Sequence, residues 1–466
     1  MPETPNESPR TIVLADSDSR WKWGALTARR LIPESEPQGF LLRGRATPSA
    51  RQLAETGAAT TGAPAETTLV DFIHRFGRPP GAGTAGGTAT GEAGPDAVAA
   101  PGTVIVLACV GHTIQAALHG LARAARAGGP RPVVVTGYVG VVYEKLAQGL
   151  MTRHGADLVL ANSPRDAELF REIYRGAGAD DEAVVTCPLP FLGGTPYDAD
   201  AVGRGDRPHR VVFAVQPSVP ETRAERLYLL NRAAGHARRR PEREVLIKLR
   251  SRPGEHTTHI EALPYQRLLN RLDDRPTNLH LRYGPMAEVL DGTDLLVTVS
   301  STAALEAMSR SIPTAVLTDL GIREPLGNHW FLGSGCLTSW DRIDADDLPA
   351  PDPAWLVSRG VRPTDPDDPT EGWGEARARL TGLLDRARDL APGAPYYTVR
   401  TAPGHLPGLL ARHGLDPEGA PLPGRAAPAG GPLIRVVRGP ARGAARGVYR
   451  LAAQRVAPMI RRWGQL

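Results

Sequence analysis

The 466-residue sequence predicts an α/β protein with two doubly wound, Rossmann-like domains, and three observations support this prediction. Short runs of Val, Ile and Leu without polar alternation, such as "TVIVLACV", are typical of parallel strands covered on both faces. Helical stretches such as "TIQAALHGLARAAR" separate these strands along the chain, which favours parallel sheets with helical crossovers. The length and a hydrophobic fraction of 41% allow more than one sizeable core.

The elements alternate in a regular order, and each predicted strand is short and rich in Val, Ile or Leu. In chain order the predicted strands are TIVLAD, TVIVLACV, RPVVVTGYVG, ADLVLANS, AVVTCPLP, RVVFAVQP, REVLIKLR, DLLVTVSS and PTAVLTDLG. The predicted helices are TIQAALHGLARAAR, SPRDAELFREIYRG, ETRAERLYLLNRAAGHARRR and STAALEAMSR. No internal repeat interrupts this order.

Composition shifts predict the domain boundaries. A low-complexity, Gly-rich stretch inside the first half predicts a flexible insertion, and a turn-forming stretch without apolar period predicts the interdomain linker. The predicted organisation is a polar leader (1–10), a first domain (11–195) with the insertion (77–102), a linker (196–209), a second domain (210–390) and a C-terminal extension (391–466).

Charge is distributed unevenly along the chain. Nine arginines and no Asp, Glu or Lys lie between Gly419 and Leu466, and because the net charge is only +5, the rest of the chain is acidic. A nucleic-acid binder would carry its basicity in the folded body, so we expect no nucleic-acid partner. The tail has arginines at a spacing of four and predicts a basic amphipathic helix that lies on an anionic membrane. A helix packed across the domains, or a disordered solubilising tail, is the alternative.

Cysteine usage and hydropathy predict a cytoplasmic protein, peripheral to the inner face of the membrane if the tail binds there. Cys109, Cys187 and Cys336 are too widely separated in sequence for a disulfide framework or a CxxC metal site. The N-terminal residues have no apolar segment that would act as a secretory signal. The longest apolar runs have the length of a strand, well below that of a membrane span.

The most informative motif is "DLLVTVSSTAALEAMSRSIPTAVLTDLG", which runs from Asp294 to Gly321. Its buried strand ends in Ser300, Ser301 and Thr302, and a helix follows at once. Hydroxyl residues at a helix start, beside free backbone N–H groups, favour an anion site, although an ordinary N-cap on a crossover helix explains them equally well. Glu306 lies one turn further on, where its carboxylate would reach ribose hydroxyls.

This strand–hydroxyl–helix–Glu–Pro–strand pattern resembles the donor-nucleotide region of GT-B glycosyltransferases. Glu306 and Pro313 keep the spacing of that family, in which the glutamate contacts ribose. The doubled serine is most similar to capsule-type, polysialyltransferase-like and glycerophosphotransferase-like members. The segments "ADSDS…KWG" and "GSGCL" also resemble a group of uncharacterised actinobacterial glycosyltransferases. The resemblance implies a GT-B fold, a nucleotide-sugar donor bound by the second domain, and transfer with inversion.

A second match lies in "REVLIKLRSRPGEHTTH". It is similar to the strand that in capsule-type transferases reads Lys-x-His-Pro, with Lys248 kept, Arg250 at the histidine position and Arg252 before the proline. An arginine can clamp phosphate but cannot donate a proton, so the resemblance implies phosphate binding here and no acid role. A surface basic cluster is the alternative interpretation.

In the first half, Asp16 and Asp18 follow the first strand, where ligands of open α/β sheets bind. We expect one of them to be the general base that deprotonates the acceptor hydroxyl; structural capping is an equal alternative. Their "DSD" also matches the metal-binding DxD motif of GT-A transferases, but that motif does not normally follow the first strand. His112, at the next strand-to-helix junction, is a further candidate base or hydrogen-bond donor, with helix capping as its alternative.

Two loops supply candidate contacts to the acceptor or the sugar. Tyr138 and Gly140 lie in a Gly-rich loop after the third predicted strand of the first half. Asn328 and His329 lie beside aromatic residues in the loop that follows the donor-type strand. Anchoring of a long loop explains the second pair equally well.

Together these motifs predict a glycosyltransferase without metal or other cofactor, because a helix N-terminus and arginine would stabilise the leaving phosphate. The capsule-type resemblance implies a CMP-activated nonulosonic acid as donor and a cell-envelope glycan or lipid-linked acceptor. Two alternatives stay open. A non-hydrolysing nucleotide-sugar epimerase would use carboxylates from both domains without an acceptor, and a catalytically inert glycan-binding scaffold would show no nucleotide affinity.

Overall fold

The predicted two-sheet α/β architecture of the GT-B type is confirmed by a computed structural model of the chain. The structure describes residues 9–44, 46–58, 60–77, 102–141, 145–252, 263–272, 274–362 and 371–422. It contains a seven-stranded and a six-stranded sheet, and every strand pairs in parallel with its neighbours.

The first sheet has the order β3-β2-β1-β4-β5-β6-β7, so its strand order reverses between β1 and β4. Its strands are β1 (Thr11–Ala15), β2 (Gln38–Leu42), β3 (Ala65–Thr67), β4 (Val104–Ala108), β5 (Val133–Gly137), β6 (Leu158–Ala161) and β7 (Val184–Thr186). The helices between them are α1 (Asp18–Leu31), α2 (Ala50–Ala54), α3 (Leu69–Gly77), α4 (Gly111–Arg126), α5 (Leu146–Met151) and α6 (Pro164–Gly176).

The second sheet has the order β10-β9-β8-β11-β12-β13 and reverses between β8 and β11. Its strands are β8 (Arg210–Ala214), β9 (Glu244–Lys248), β10 (Leu279–Arg282), β11 (Leu295–Thr298), β12 (Thr314–Leu317) and β13 (Leu337–Thr338). Its helices are α7 (Arg223–Arg239), α8 (Tyr265–Leu269), α9 (Met286–Leu290), α10 (Ala303–Ser309), α11 (Trp340–Asp344) and α12 (Pro353–Ser358), with 3₁₀ turns at Glu324–Leu326 and Asn328–Phe331.

Each sheet has a hydrophobic core on both faces, which explains why its central strands lack polar alternation. The sequence patterns predicted β1, β4–β9, β11 and β12 but not β2, β3, β10 or β13. Three of these missed strands, β3, β10 and β13, lie at sheet edges, and they are short. Edge strands are covered on fewer sides, so they need no continuous apolar run.

The chain returns to the first half after α12. Helices α13 (Gly374–Asp385) and α14 (Leu406–Arg412) pack against the two cores of the first sheet, α13 through Leu380 and α14 through Leu409. The predicted second domain ends at residue 390, so this packing moves its boundary towards the N-terminus. The segment 391–422 of the predicted extension likewise belongs to the first half rather than to a separate tail.

The other predicted segments lie partly inside and partly outside the described residues. Residues 196–209, the predicted linker, contain neither helix nor strand and lead into β8. The leader up to residue 8, the insertion between 78 and 101, and the arginine-rich tail beyond 422 lie outside the described residues. Within the described residues, no helix has the length and hydropathy that a membrane crossing requires.

Candidate active site

A cleft of about 570 Å³ lies between the two halves, at the carboxyl ends of both sheets. Loops that follow β1, β5, β8, β9 and β11 line it, so both places where a strand order reverses face the same space. Such reversal points are where open α/β sheets bind ligands. The cleft has the size range of small-molecule sites.

Helix α1 supplies most of the first half's polar lining. It starts directly after β1, with Asp18 in its first turn and Lys22 one turn further along the same face. Gly24 allows α1 to lie close to the sheet, because a Cβ at this position would come within 2.7 Å of a Val13 methyl group. This close packing fixes the helix start, and with it Asp18 and Lys22, at the edge of the cleft.

An ion pair joins Asp18 to Arg250 of the other half. The Arg250 guanidinium donates to Asp18 Oδ1 at 2.6 Å and also to the Ser19 hydroxyl. The Asp18 side chain is 15% exposed and the Arg250 side chain is 30% exposed. Burial by itself raises the pKa of Asp18, but the charge and hydrogen bond of Arg250 outweigh burial and hold the pKa below its usual value.

A second ion pair crosses the cleft with the opposite polarity. Lys22 Nζ of the first half lies 3.3 Å from Glu306 Oε2, and the glutamate side chain is 8% exposed. The ammonium also lies 4.8 Å from the ring centroid of Phe191, a cation–π contact. Glu306 therefore lies inside the cleft, on α10, with its carboxylate occupied by a cation of the facing half.

Lys248 ends β9 and is the most enclosed cation of the cleft, at 7% exposure. Its ammonium donates to the carbonyl of Leu249 at 2.7 Å. Burial lowers the pKa of Lys248 to about 8, and the carboxylates of Glu55 and Glu306 act against that shift. A cation with an incomplete set of anionic partners in a ligand-sized cleft is suited to bind phosphate.

The hydroxyl residues after β11 line the cleft but are engaged with the protein itself. The Ser300 hydroxyl donates to the carbonyl of Leu326, and Gln216 Oε1 accepts from the Ser300 backbone N–H at 3.1 Å. Ser301 Oγ accepts from the backbone N–H of Ala303. Thr302 is the N-cap of α10 and makes no side-chain cap bond. Since α10 has seven residues, the expected anion site at its N-terminus has only a short helix behind it.

Two candidate bases lie outside the cleft lining. Asp16 joins two loops of the first half, because it accepts from the Val110 backbone N–H at 2.8 Å and from Arg20 at 2.9 Å. His112 faces the returning segment of the chain, with its ring centroid 6.2 Å from that of His405. Of the three candidate bases only Asp18 lines the cleft; the packing of α14 against the first half explains the place of His112.

Three other candidates also have structural surroundings. The Tyr138 ring is buried under Arg153, 4.0 Å from its centroid, and burial raises the pKa of its phenol. Asn328 is fully buried and donates to the carbonyls of Leu317 and Gly321, so it holds its own loop together. Arg252 lies over the Tyr283 ring, outside the cleft lining.

Gly140 and His329 do line the cleft. His329 has a buried Nδ1 without a hydrogen-bond partner among the described residues, which makes it a polar group available to a ligand. Sequence reasoning missed Lys22, Glu55 and Gln216. The signal for Lys22 was present, since it follows Asp18 by one helical turn, whereas Glu55 and Gln216 have no motif around them.

The arrangement brings four cations and four carboxylates to one cleft. The cations are Arg20, Lys22, Lys248 and Arg250, and the carboxylates are Asp18, Glu55, Glu306 and Glu324. Such cations can neutralise a leaving phosphate, and a freed carboxylate can accept a proton. Among the residues that the structure describes, no group of three or more His, Cys, Asp and Glu side chains could hold a metal ion.

Comparison with known proteins finds one matching family and a set of solved structures with low sequence identity. The model of the family described as "Putative glycosyltransferase (DUF6716)" matches residues 11–376. No curated protein matches the chain by sequence.

Among solved structures, UDP-GlcNAc 2-epimerase from Neisseria meningitidis is 10% identical, with a TM-score of 0.45, and the match covers 82% of this chain and 100% of that one. The S. aureus MnaA–UDP structure is 12% identical, with a TM-score of 0.45 and coverages of 82% and 97%. The glycosyltransferase SnogD from Streptomyces nogalater is 13% identical, with a TM-score of 0.35 and coverages of 88% and 100%.

Proposed function

We propose that this chain, which belongs to the glycosyltransferase family whose model spans residues 11–376, binds a nucleotide-sugar donor against its second half and transfers the sugar to a hydroxyl acceptor. The observation that carries this proposal is the convergence of Lys248 and Arg250 on the cleft between the two sheets. These cations would bind the donor phosphate and stabilise it as it leaves. Glu306, one turn into α10, would accept from the ribose hydroxyls.

The acceptor would bind against the first half, with Asp18 as the general base. Asp18 is the candidate base that lines the cleft, and it faces the cations across that space. In the transfer step the acceptor oxygen forms a bond to the anomeric carbon, the bond to the leaving phosphate breaks, and Asp18 takes the hydroxyl proton. A single displacement of this kind inverts the anomeric configuration. Gly140 and His329 are proposed contacts of the acceptor or the sugar.

The finer identity of the substrates follows from the sequence resemblance to capsule-type transferases. It supports a CMP-activated nonulosonic acid as donor and a cell-envelope glycan or lipid-linked acceptor. The proposal includes transfer without a metal ion, and the cluster of cations in the cleft supports it. Contact of the arginine-rich tail with anionic membrane is part of the same proposal.

A thermal-shift panel of CMP, CDP, UDP, GDP and dTDP, each with and without EDTA, is the first test. A nucleotide that binds only the folded chain raises the melting temperature by mass action. We expect one base to stabilise the protein with or without EDTA, and Lys248→Met to reduce that shift. Lys145→Met is the matched control, because Lys145 is an exposed lysine outside the cleft lining.

The second step incubates the matching nucleotide sugars with glycan acceptors and measures nucleotide release. Release that depends on an acceptor supports the transferase. A change of the sugar without an acceptor would identify an epimerase instead. A protein that melts cooperatively and is stabilised by none of the nucleotides would be an inert scaffold, and a shift that EDTA removes would overturn transfer without a metal ion.

A further inference from the structure

Two ion pairs connect the halves of the protein across the proposed active site, and they have opposite polarity. In one, the first half supplies the anion (Asp18) and the second half the cation (Arg250). In the other, the first half supplies the cation (Lys22) and the second half the anion (Glu306). Both first-half members belong to α1 and are four residues apart, so one helix face holds both contacts.

Both second-half members are groups that the proposed function assigns to the donor. Arg250 would bind phosphate and Glu306 would bind ribose, yet each is occupied by a side chain of the facing half. The Arg250 guanidinium donates from the same nitrogen to Asp18 and to Ser19, so two oxygens of the first half surround it. In this geometry a carboxylate and a hydroxyl hold the place that phosphate oxygens would take.

A donor and the start of α1 therefore compete for the same guanidinium. Phosphate oxygens accept from arginine at least as well as a carboxylate does, so exchange between the two is chemically balanced. The pair is only partly exposed, and the displaced Asp18 would turn towards the space that the acceptor occupies. While Asp18 is paired, Arg250 holds the pKa of its carboxyl down and makes it a weak base; release of the arginine removes that effect.

We infer that the Asp18–Arg250 ion pair is a built-in competitor of the donor phosphate, and that donor binding must break it before Asp18 can act on the acceptor. This inference rests on the proposed function and adds the order in which the site is filled. The donor binds first, takes Arg250 and frees Asp18; the acceptor hydroxyl then meets an unpaired carboxylate. Lys22 and Glu306 exchange in the same way when ribose hydroxyls take the glutamate.

The test is a calorimetric titration of the full chain with inorganic pyrophosphate, which probes the phosphate position without a choice of base or sugar. Asp18→Asn removes the competing charge while it keeps the size of the side chain. We expect this variant to bind pyrophosphate roughly fivefold more tightly than the wild type, the equivalent of a partly exposed ion pair. Loss of the Asp18 carboxylate would thus strengthen pyrophosphate binding because it releases Arg250.

A double-mutant cycle separates this exchange from a general change in charge. In an Arg250→Met background, Asp18→Asn should give no further gain, because the arginine that it releases is absent. Glu36→Gln is the matched control: Glu36 pairs with Arg29 in the same half but lies outside the cleft lining, and its loss should leave pyrophosphate affinity unchanged. Melting curves of each variant establish that it is folded.

Three results would overturn the inference. These are an unchanged or weaker affinity in Asp18→Asn, a gain that persists without Arg250, and absence of pyrophosphate binding in both the wild type and Asp18→Asn. Its failure is distinguishable from failure of the proposed function. If a nucleotide stabilises the wild type but Asp18→Asn gains no pyrophosphate affinity, the exchange is wrong and the transferase stands. If Asp18→Asn gains affinity but the wild type transfers no sugar, the exchange stands and the transferase is wrong.

Discussion

The two reversal points of the two sheets are built alike and charged differently. In each half a polar side chain that follows the first strand of the sheet accepts from a backbone N–H after the fourth strand. In the first half this brace is Asp16, which accepts from Val110 at 2.8 Å; in the second it is Gln216, which accepts from Ser300 at 3.1 Å. In both sheets this hydrogen bond connects the loops that follow the two adjacent strands at the reversal point. The first half uses the carboxylate of Asp16 for it, and the second half uses the neutral amide of Gln216.

The difference between the two braces bears on the proposed position of the donor phosphate. The Asp16 carboxylate is paired with Arg20, which lines the cleft, whereas the Gln216 amide is neutral by itself. The neutral brace lies on the side of the cleft that also supplies Lys248 and Arg250, and the acidic brace lies behind Asp18. The proposed function puts the donor phosphate against the second half, beside Lys248 and Arg250, and the acceptor against the first half, beside Asp18.

Loss of the Asp18 carboxylate should have the largest effect on turnover. Asp18→Asn removes the proposed base, so we expect kcat for transfer to fall about 10²- to 10⁴-fold. The measurement is nucleotide release, with the nucleotide that the thermal-shift panel identifies and the acceptor found in the incubations with glycans. Binding of nucleotide should not weaken in this variant. If the variant's turnover is within a factor of a few of the wild type, Asp18 is not the base. The proposed division of roles, with the base in the first half and the phosphate site in the second, would then be wrong.

Loss of the Lys248 ammonium should have the next largest effect, and on binding. A charge-assisted hydrogen bond to phosphate contributes about 1.5–3 kcal/mol, so Lys248→Met should weaken nucleotide affinity roughly 10- to 100-fold. Calorimetric titration measures it. Lys145→Met, an exposed lysine of the first half, is the matched control and should bind as the wild type does. Equal affinities in the two variants would mean that Lys248 does not bind the phosphate, and would contradict a phosphate position against the second half.

The pH dependence of binding tests the same lysine without a mutation. Burial lowers the pKa of Lys248 to about 8 in the free protein. Below that pH the ammonium is present and affinity is constant; above it, binding must first restore the proton. We expect nucleotide Kd to rise about tenfold between pH 7 and pH 9, because roughly a tenth of a group with that pKa stays protonated at pH 9. The rise should be absent in Lys248→Met.

The sequence predicted the sheets better than the site, for a physical reason. Strands such as β1 and β11 are buried on both faces, so their composition alone reveals them. The loop residues are different, because Asp16 and Asp18 stand two residues apart and only three-dimensional packing decides which is a brace and which faces the cleft. The donor-type motif proposed Glu306, and the second match proposed Lys248 and Arg250, yet neither motif indicates that the facing half pairs with Arg250 and Glu306.

The smallest expected effect tests the contrast between the braces directly. Gln216→Glu keeps an oxygen that can accept from Ser300 but places a negative charge in the cleft beside the proposed phosphate site. We expect nucleotide affinity to fall about fivefold, since a charge of this kind at a partly screened distance is worth roughly 1 kcal/mol. Asp16→Asn is the mirror change: it removes the carboxylate of the first-half brace and frees Arg20 from a partly exposed ion pair, and it should leave nucleotide affinity within about twofold of the wild type.

Calorimetric titration of both variants decides the matter, with melting curves to establish that each is folded. A loss in Gln216→Glu that shrinks at high salt, together with an unchanged Asp16→Asn, would mean that the neutral amide is needed where the donor binds. If instead Asp16→Asn tightened nucleotide binding as much as Gln216→Glu weakened it, the phosphate would lie between the halves and not against one of them. The loop of Asp16 and the loop of Gln216 would then both contribute to phosphate binding.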